Sequence, residues 1–317
     1  MSSKIPLVVL VGPTGIGKTE ISIKLAKELN GEIISADSAQ IYRHMNIGTA
    51  KIKEKEKEGI PHYLIDIVDP DKEFTVADYK EMATKCIEDI HGRGKLPMVV
   101  GGTGLYINSL VYDLNFIDVA PNDDFREKYN NLADKYGNEY IYNKLKEIDP
   151  DSTNRINISD RKRIIRALEV YNETGKPMSK YYKNFRKYNK DYDIAMVGLT
   201  MNRKRLYERI NIRVDKMIEE GLIEEVKNIL NMNYSKDLNS LKALGYKEII
   251  FYLNGEKTLD ESINLLKRDT RRFAKRQLTW FRRDSRIEWV DYENFNNKDE
   301  IINYIIKYII YKLNLNN

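Results

Sequence analysis

The sequence predicts an α/β protein in which a parallel sheet, flanked by helices, is interrupted by a mostly helical insertion. Over the first hundred residues short β-branched runs alternate with helical stretches, and such strand–helix–strand units form right-handed crossovers and a parallel sheet. Residues 118–191 are instead charged, rich in tyrosine and without a strand of similar quality. We therefore expect one core built from residues 1–117 and 192–317, and a helical insertion domain at 118–191.

The predicted strands are nearly continuous apolar runs, which is typical of strands buried on both faces of a sheet. Four occur early and two late, at residues 7–11, 32–36, 63–68, 97–100, 194–199 and 287–290. Apolar residues at three- and four-residue spacing predict helices at 18–29 and 76–90, and residues 203–312 are again helical. Three glycines break that last stretch, Gly221, Gly245 and Gly255. The run at 51–58, KIKEKEKE, alternates in charge and is typical of a solvated surface.

The composition indicates a folded, mildly basic protein. A length of 317 residues suggests about two domains, and 42 % hydrophobic with 32 % charged residues excludes disordered, collagen-like and coiled-coil chains. The single cysteine, Cys86, excludes a disulfide framework and, with three scattered histidines, a Cys/His zinc module. Because the sequence has neither a long apolar run nor a secretory signal, we expect a soluble, cytoplasmic protein.

A glycine-rich motif predicts a phosphate-binding loop. Residues 12–19 read GPTGIGKT, and the loop comprises Gly12, Pro13, Thr14, Gly15, Ile16, Gly17, Lys18 and Thr19. Glycines allow backbone N–H groups to turn toward an anion, and the helix that follows adds its positive N-terminal end. In this motif Lys18 reaches the terminal phosphate oxygens and the Thr19 hydroxyl can bind Mg²⁺. The core is therefore predicted to be P-loop NTPase-like and to bind a phosphate or diphosphate group.

The acidic residue that usually accompanies such a loop is missing. In P-loop NTPases a second strand ends in an aspartate that helps to hold Mg²⁺, but the strand at 97–100 is followed by Gly101-Gly102-Thr103-Gly104. The nearest candidate is Asp37, directly after the strand at 32–36. At that edge of a sheet its carboxylate could hold a metal through water or accept a proton from a nucleophile. The alternative is a helix-capping or turn aspartate.

Three basic clusters favour a nucleic acid as partner. Residues 265–286 carry nine basic and two acidic residues, a local net charge of +7, together with Phe273, Trp280 and Phe281. Residues 176–190 carry six basic residues and no acid, together with Tyr181, Tyr182, Phe185 and Tyr188. The third cluster is formed by Arg161, Lys162, Arg163 and Arg166. Basic residues bind the phosphate chain and aromatic rings stack on unpaired bases, although each cluster alone would be typical of a solvated helix face.

In their order along the chain these motifs resemble those of the tRNA dimethylallyltransferases, also called tRNA isopentenyltransferases, of the bacterial type. The resemblance runs from residue 7 to about residue 284. Its carriers are GPTGIGKT (12–19), DSAQIYR (37–43), IGTAK (47–51), GGTGLYI (101–107), RIIRALEVYNETGKP (163–177), LYERINIRVDKMIEEGLIEEV (206–226), LKALGYKE (241–248) and TRRFAKRQLTWFRRD (270–284). The chain departs from the family at Gly15-Ile16, where Ala-Ser is usual, and at Arg161-Lys162, where Pro-Gln is common.

The resemblance implies a reaction and its partners. Dimethylallyl diphosphate would give its five-carbon group to N6 of adenosine 37, next to the anticodon of tRNA, to form N6-isopentenyladenosine and diphosphate. The loop at 12–19 would then hold a diphosphate leaving group rather than ATP. The implied cofactor is Mg²⁺, the implied partners are the tRNA anticodon stem-loop and dimethylallyl diphosphate, and a monomer without membrane attachment is expected. The insertion at 118–191 would grip the stem-loop.

Residue roles follow from the resemblance position by position. Asp37 would take the proton of the adenine amine, Lys18 and Arg213 would contact the diphosphate, and Thr103 would lie near both substrates. The residues implied to touch tRNA are Asp37, Ser38, Ala39, Gln40, Thr103, Lys162, Arg163, Ile164, Ile165, Arg166, Ala243, Leu244, Gly245, Tyr246, Lys247 and Glu248. A nucleotide or small-molecule kinase, an adenylate isopentenyltransferase and an RNA-binding NTPase are the alternative interpretations.

Overall fold

Six strands form one sheet in this computed structural model, and every pair of neighbouring strands is parallel. The strands are β1 Ile5–Val11, β2 Gly31–Ala36, β3 His62–Tyr63, β4 Leu96–Gly101, β5 Tyr192–Thr200 and β6 Glu288–Asp291. Their order across the sheet is β3-β2-β4-β1-β5-β6, so that β1 lies in the middle with Val9 opposite Val99 on β4 and Met196 on β5. The predicted α/β fold with a parallel sheet is confirmed.

The structure describes residues 4–114, 119, 121–181 and 187–315, and the chain divides into two units. The core unit comprises residues 1–111 and 189–317, and the insertion unit comprises residues 112–188. Within the core unit the two ends of the interruption meet, because the backbone N–H of Asn189 donates to the carbonyl of Val111 at 3.2 Å. Asp118, and Tyr182 and Phe185 of the second basic cluster, lie outside the described residues.

Helices account for most of the remaining described chain. In chain order they are α1 Lys18–Glu28, α2 Val76–Gly92, α3 Gly104–Val111, α4 Asp123–Tyr136, α5 Asn138–Ile148, α6 Pro150–Thr153, α7 Arg161–Thr174, α8 Met178–Tyr181, α9 Arg203–Glu219, α10 Leu222–Asn231, α11 Tyr246–Leu253, α12 Leu259–Phe281 and α13 Lys298–Leu313. Gly221 and Gly245 directly precede α10 and α11 with φ of 99° and 97°, and Gly255 lies between α11 and α12, which confirms the three predicted breaks. Among the described residues no helix is both long and apolar enough to cross a membrane.

The core of the sheet follows from the apolar strands that the sequence predicts. Successive side chains of a strand point to opposite faces, and Val8 and Leu10 of β1 pack in one cluster with α1 and α13. The helix α2 contacts β1, β2 and β4 and buries Tyr79 and Ile87. Helices on both faces therefore bury β2 and β4 completely and most of β1 and β5.

In the segment after β2 one prediction is wrong and another is confirmed only in part. The strand predicted at 63–68 is only His62–Tyr63, because Leu64 and Asp66 adopt left-handed backbone angles, with φ of 60° and 57°, that an extended strand does not tolerate. The run at 51–58 is not solvated throughout, since Lys51 is only 9 % exposed. Its ammonium group donates to the carbonyl of Tyr42 and to the side chains of Asn46 and Asp66, which accounts for the buried charge.

The insertion unit has an apolar core of its own. Ala133, Ile141, Leu145, Ile164 and Leu168, from α4, α5 and α7, are buried together. A buried carboxylate, Glu169, accepts hydrogen bonds from Arg126 and Arg166 and from the backbone of Asn122. Hydrogen bonds from these donors hold the pKa of Glu169 below its usual value, against the effect of burial.

Candidate active site

The loop between β1 and α1 has the shape of an anion-binding loop. Gly15 and Gly17 adopt left-handed angles with φ of 81° and 101°, which glycine tolerates without strain, and α1 begins at Lys18. The first N–H groups of an α-helix have no acceptor within the helix and favour an anion. Ile16 is fully buried and anchors the loop in the core. The predicted loop therefore places these N–H groups at the carboxyl end of β1.

Three charged side chains meet beside this loop. The ammonium group of Lys18 donates to the carbonyls of Gly12 at 2.9 Å and Pro13 at 3.0 Å. Burial lowers the pKa of Lys18 from 10.5 to about 8, while the nearby Asp37 carboxylate opposes this shift and the Arg213 guanidinium reinforces it. Burial also lowers the pKa of Arg213, again opposed by Asp37. The cations Lys18, at the start of α1, and Arg213, on α9, thus lie near the carboxylate of Asp37, which follows β2.

Asp37 shows the turn role that the sequence allows. Its Oδ1 accepts hydrogen bonds from the backbone N–H groups of Ala39 at 2.9 Å and Gln40 at 3.4 Å, which is the turn role. Among the described residues its Oδ2 has no hydrogen-bond donor. The turn therefore fixes the carboxylate and leaves one oxygen for a ligand.

Thr103 connects the Asp37 turn to the end of β4. Its hydroxyl accepts a hydrogen bond from the backbone of Ser38 at 2.9 Å and donates to the Ser38 hydroxyl at 3.3 Å. Its own N–H donates to the carbonyl of Ala36 at 3.0 Å. The sheet thus brings Thr103 next to Asp37, although the two residues are far apart in sequence.

Arg213 reaches the site beside an irregular loop at 45–50. Its guanidinium donates to the carbonyl of Thr49 at 3.5 Å, and the amide of Gln40 donates to the same carbonyl at 3.3 Å. Glu225 of α10 stabilises this loop. Its carboxylate accepts hydrogen bonds from the backbone N–H groups of Asn46, Ile47 and Gly48. Sequence reasoning missed Glu225, because the motif containing it carries no sign of this distant partner.

Two further residues that sequence reasoning missed contact the loop at 12–17. Arg209 of α9 donates to the carbonyl of Gly15 at 3.0 Å, and Gln277 of α12 accepts a hydrogen bond from the N–H of Thr14 at 2.9 Å. A signal for Gln277 does exist, since it shares helical spacing with the buried Ala274 and Phe281. A buried polar residue on such a face needs a hydrogen-bond partner.

A cavity of about 60 Å³ opens beside Lys18 and Asp37. Hydroxyl, amide and imidazole groups form one part of its wall and aliphatic side chains the other. Its lining residues are Lys18, Thr19, Ser22, Ile33, Ser35, Asp37, Gln40, Ile52, His62, Ile65, Val100 and Gly101. The anion loop therefore has a small, partly apolar space next to it.

The residues implied to touch tRNA differ in their exposure. Ser38 is exposed, and Ala39 and Gln40 are partly exposed beside Asp37. Ala243, Leu244 and Gly245 immediately precede α11, but the side chains of Tyr246 and Glu248 are fully buried. Lys247 lies between them and pairs with Asp269 at 3.7 Å. Only part of the segment 243–248 can therefore offer side chains to a partner.

In the insertion unit the third basic cluster is largely paired internally. Arg161, Arg163 and Arg166 form ion pairs with Asp134, Asp160 and Glu169 at 2.6, 3.4 and 2.5 Å. Within the part of the chain that the structure describes, the exposed Lys162 has no acidic partner. Ile164 and Ile165 belong to the apolar core of the unit, so their side chains are not available to RNA.

The basic segment 265–286 forms most of α12 and has two different faces. Its outer face exposes Arg268, Arg272, Lys275 and Arg276. Its inner face buries Leu266, Ala274 and Phe281, so the interpretation of Phe281 as a base-stacking ring is wrong because the ring fills the core. Trp280 packs under the turn after β4, where an added Cβ on Gly104 would lie 2.3 Å from its ring.

Comparisons with known proteins identify the family to which this chain is similar. The sequence pattern of a family described as IPP transferase matches residues 40–284. A tRNA dimethylallyltransferase from Thermoanaerobacter sp. (strain X514) is 52 % identical over 98 % of this chain and 99 % of its own length, and one from Alkaliphilus oremlandii is 54 % identical over 95 % and 96 %.

Solved structures are similar to this chain as well. The tRNA isopentenylpyrophosphate transferase of Bacillus halodurans is 46 % identical, with a TM-score of 0.74 over 98 % of this chain and 97 % of that one. A eukaryotic dimethylallyltransferase acting on tRNA is 30 % identical, with a TM-score of 0.77 over 95 % and 78 %. With family motifs, relatives and fold in agreement over nearly the whole chain, this protein belongs to the IPP transferase family, that of the tRNA dimethylallyltransferases.

Proposed function

We propose that this protein transfers the dimethylallyl group of dimethylallyl diphosphate to N6 of adenosine 37, next to the anticodon of tRNA. The products are N6-isopentenyladenosine and diphosphate. The observation that carries the proposal is the meeting of Lys18, Asp37 and Arg213 beside an anion-binding loop. The curated relatives named above, which are tRNA dimethylallyltransferases, support it.

Asp37 acts on the nucleophile. The exocyclic amine of adenine is a poor nucleophile, and it must lose a proton as its nitrogen bonds to C1 of the dimethylallyl group. Oδ2 of Asp37 accepts that proton, while Oδ1 remains held by the backbone of Ala39 and Gln40. General-base assistance of this kind contributes about 10²- to 10⁴-fold in rate.

The P-loop and two cations act on the leaving group. As the C1–O bond breaks, its electron pair and the negative charge pass to the diphosphate oxygens. Lys18, Arg213 and the N–H groups at the start of α1 stabilise that charge, and fixed donors of this kind need no reorganisation during the reaction. Lys18 uses two of its three N–H donors on the carbonyls of Gly12 and Pro13, so that one donor remains for the diphosphate.

The donor set beside the loop fits Mg²⁺. Among the described residues there is no cluster of three or more acidic, histidine or cysteine side chains that could hold a metal. Mg²⁺ often keeps several waters and takes only one or two protein ligands plus substrate phosphates, for which the exposed Thr19 hydroxyl and, through water, Asp37 are suited. When bound, the ion would supply further positive charge to the departing diphosphate.

The five-carbon chain has a place next to these groups. The cavity beside Lys18 and Asp37 has aliphatic side chains, Ile33, Ile52 and Ile65, on part of its wall. Transfer of an apolar group from water into such a space is favourable by about 25 cal/mol per Å². We assign this cavity to the dimethylallyl group, so that C1 lies toward Asp37.

Exposed basic residues provide the charge for RNA. Four cations of the outer face of α12, together with Lys162 of the insertion unit, have exposed side chains. The target base must leave its stack to reach a recessed site, which costs less in a single-stranded loop than in a duplex. Both features support the anticodon stem-loop as the substrate.

The test is a direct assay of the product. Purified protein is mixed with unmodified tRNA, Mg²⁺ and dimethylallyl diphosphate, and the RNA is digested to nucleosides for mass spectrometry. We expect prenylated adenosine, and none when the adenosine beside the anticodon is replaced by guanosine. Product formation that requires ATP, or release of phosphate from ATP, would instead identify a kinase or an NTPase.

A pair of variants tests the role of Asp37. Asp37→Asn should lower kcat by at least about 10²-fold and leave tRNA affinity nearly unchanged. Asp237→Asn is the matched control, because Asp237 is exposed between α10 and α11 and its carboxylate has no hydrogen-bond partner among the described residues. A large loss of tRNA affinity in Asp37→Asn would show that the residue serves only to shape the turn.

A further inference from the structure

One buried amide on the inner face of α12 joins two loops of the candidate active site. The side chain of Gln277 is 6 % exposed. Its Oε1 accepts a hydrogen bond from the N–H of Thr14, in the diphosphate loop, at 2.9 Å. Its Nε2 donates to the carbonyl of Gly102, in the turn after β4, at 3.0 Å. The amide therefore uses one acceptor and one donor, each on a different loop.

The turn after β4 is shaped to lie directly on this helix. A Cβ added to Gly102 would lie 2.2 Å from Nε2 of Gln277, and one added to Gly104 would lie 2.3 Å from the ring of Trp280, one turn further along α12. Real Cβ atoms do not approach other atoms so closely, so only glycine permits this contact. The two glycines that flank Thr103 thus set the distance between α12 and the turn.

From Gln277 a path of two hydrogen bonds and the covalent backbone between them leads to the proposed general base, Asp37. Gly102 precedes Thr103, whose hydroxyl accepts the N–H of Ser38, the residue after Asp37. The diphosphate loop is at one end of this path and the proton-accepting carboxylate at the other. Reaction geometry depends on this distance, since a misplacement of about 1 Å can cost about 10²-fold in rate.

We propose that Gln277 is a positioning residue that fixes the diphosphate loop relative to Asp37, an inference that rests on the proposed function. It touches neither substrate and acts through Thr14 and Gly102. Gln277 also accepts the hydrogen bond of the Thr14 N–H. The anion is therefore bound by the N–H groups of the residues after Thr14. A glutamine is required because a carboxylate lacks the donor for Gly102, an asparagine is one carbon shorter, and a methionine supplies neither bond.

The first test separates positioning from folding. Gln277→Met, which has nearly the same volume, should lower kcat by about ten- to a hundredfold and change the Kd for tRNA by less than about twofold. Thr270→Val is the matched control, since Thr270 is also buried on α12 and has no side-chain hydrogen bond among the described residues. Equal losses of kcat in both variants, or a loss of kcat that merely follows a loss of folded protein, would overturn the proposal.

A double-variant cycle tests the contact itself. Gly102→Ala in the natural chain forces the amide of Gln277 to move and should lower kcat about tenfold. In a Gln277→Ala background the space is open, so the same Gly102→Ala change should alter kcat by less than about twofold. Equal effects of Gly102→Ala in both backgrounds would show that Gly102 acts independently of Gln277 and would contradict the proposed path.

A readout without turnover distinguishes this inference from the proposed function. Binding of inorganic diphosphate, measured by calorimetry, should weaken in Gln277→Met, and amide hydrogen exchange of the loop at 12–17 should increase, while Thr270→Val leaves both unchanged. These results would hold even if no adenosine were prenylated, in which case only the proposed function would fail. Unchanged diphosphate affinity and exchange in Gln277→Met would sink the positioning role regardless of the reaction.

Discussion

At the scale of single residues, burial changes the protonation of Lys18 and the strength with which its charge attracts an anion. Its ammonium group is held by two loop carbonyls, and burial lowers its pKa to about 8. A diphosphate bound beside this ammonium group meets a poorly solvated cation, and the attraction between the charges is stronger there than in water. The same burial makes the charge sensitive to mildly alkaline pH.

The pH dependence of catalysis should reveal this lysine. We expect kcat/KM for dimethylallyl diphosphate to fall about tenfold per pH unit above pH 8, because this parameter reports ionisations of the enzyme form to which dimethylallyl diphosphate binds and Lys18 becomes neutral there. Lys18→Arg should be less active at pH 7.5 but should show no such fall, since a guanidinium remains charged. Both profiles are measured with saturating tRNA.

Stability changes in the opposite direction over the same interval. Between about pH 8 and pH 10.5 the unfolded chain keeps a proton on Lys18 that the folded chain has lost, so this group raises the free energy of unfolding as pH rises. Loss of activity should therefore precede any loss of structure measured by circular dichroism. A simultaneous loss of both would attribute the profile to denaturation.

At the scale of structural elements, the loop at 45–50 depends on a carboxylate from another part of the chain. Glu225 of α10 accepts three consecutive backbone N–H groups of this loop and the hydroxyl of Tyr246 at 2.7 Å. In a helix or a sheet such N–H groups would donate to backbone carbonyls, but an irregular loop lacks these regular acceptors. The carboxylate takes that place, and the loop then presents the carbonyl of Thr49 to Arg213 and Gln40.

Replacing this carboxylate should loosen the loop. In Glu225→Gln the amide offers one acceptor oxygen instead of two, so partly buried N–H groups of Ile47 and Gly48 lose an acceptor, at a cost of about 1 kcal/mol. We expect kcat/KM for dimethylallyl diphosphate to fall about tenfold and amide exchange at residues 46–48 to accelerate. Glu224→Gln, which affects only an exposed pair with Lys227, should change neither quantity; equal changes in both variants would contradict the loop role.

An element could be predicted from the sequence when the residues that determine its structure lie next to one another in the chain. The strand β1, the glycine loop and α1 follow one another in sequence, and their pattern alone predicted them. The strand after β2 was predicted too long, because Leu64 and Asp66 read as strand residues while distant contacts, such as that of Lys51, stabilise their left-handed angles. Gln277 bonds a residue 263 positions earlier, which no local pattern contains.

At the scale of the whole molecule, the carboxyl ends and the amino ends of the strands differ in the charged residues that they carry. The carboxyl ends of β1, β2 and β4 carry the candidate active site. The amino end of β2 carries Glu32, a 1 % exposed carboxylate that accepts hydrogen bonds from Arg93 at 2.8 and 2.7 Å and from Tyr63 at 2.8 Å and pairs with Lys95. These partners, Arg93 first, lower the pKa of Glu32 to about 2.

This cluster should determine part of the acid stability. Because the pKa of Glu32 falls from 4.5 to about 2 on folding, its contribution is on the order of 3 kcal/mol. It is present above pH 4.5 and lost as pH falls toward 2. Glu32→Gln should therefore lower the urea midpoint at pH 7, lower it much less near pH 2, and leave kcat unchanged.

The control for this prediction is an exposed ion pair. Glu58→Gln removes the pair with Lys27, whose side chains are 46 % and 56 % exposed, and should hardly move the midpoint, because solvent screens such pairs. If the loss in Glu32→Gln were the same at pH 7 and near pH 2, the stabilisation would come from packing rather than from the charge.

The junction between Val111 and Asn189 has a consequence for how this chain can evolve. The chain segments directly before and after residues 112–188 are joined by this backbone hydrogen bond. The side-chain amide of Asn189 also donates to the carbonyl of Leu110 at 3.0 Å. The entropy of closing a segment rises only logarithmically with its length, by about 0.6 kcal/mol per doubling. Insertions, deletions or even exchange of the intervening segment should therefore leave the register of the sheet unaffected, so that selection can alter the insertion unit while the diphosphate loop stays constant.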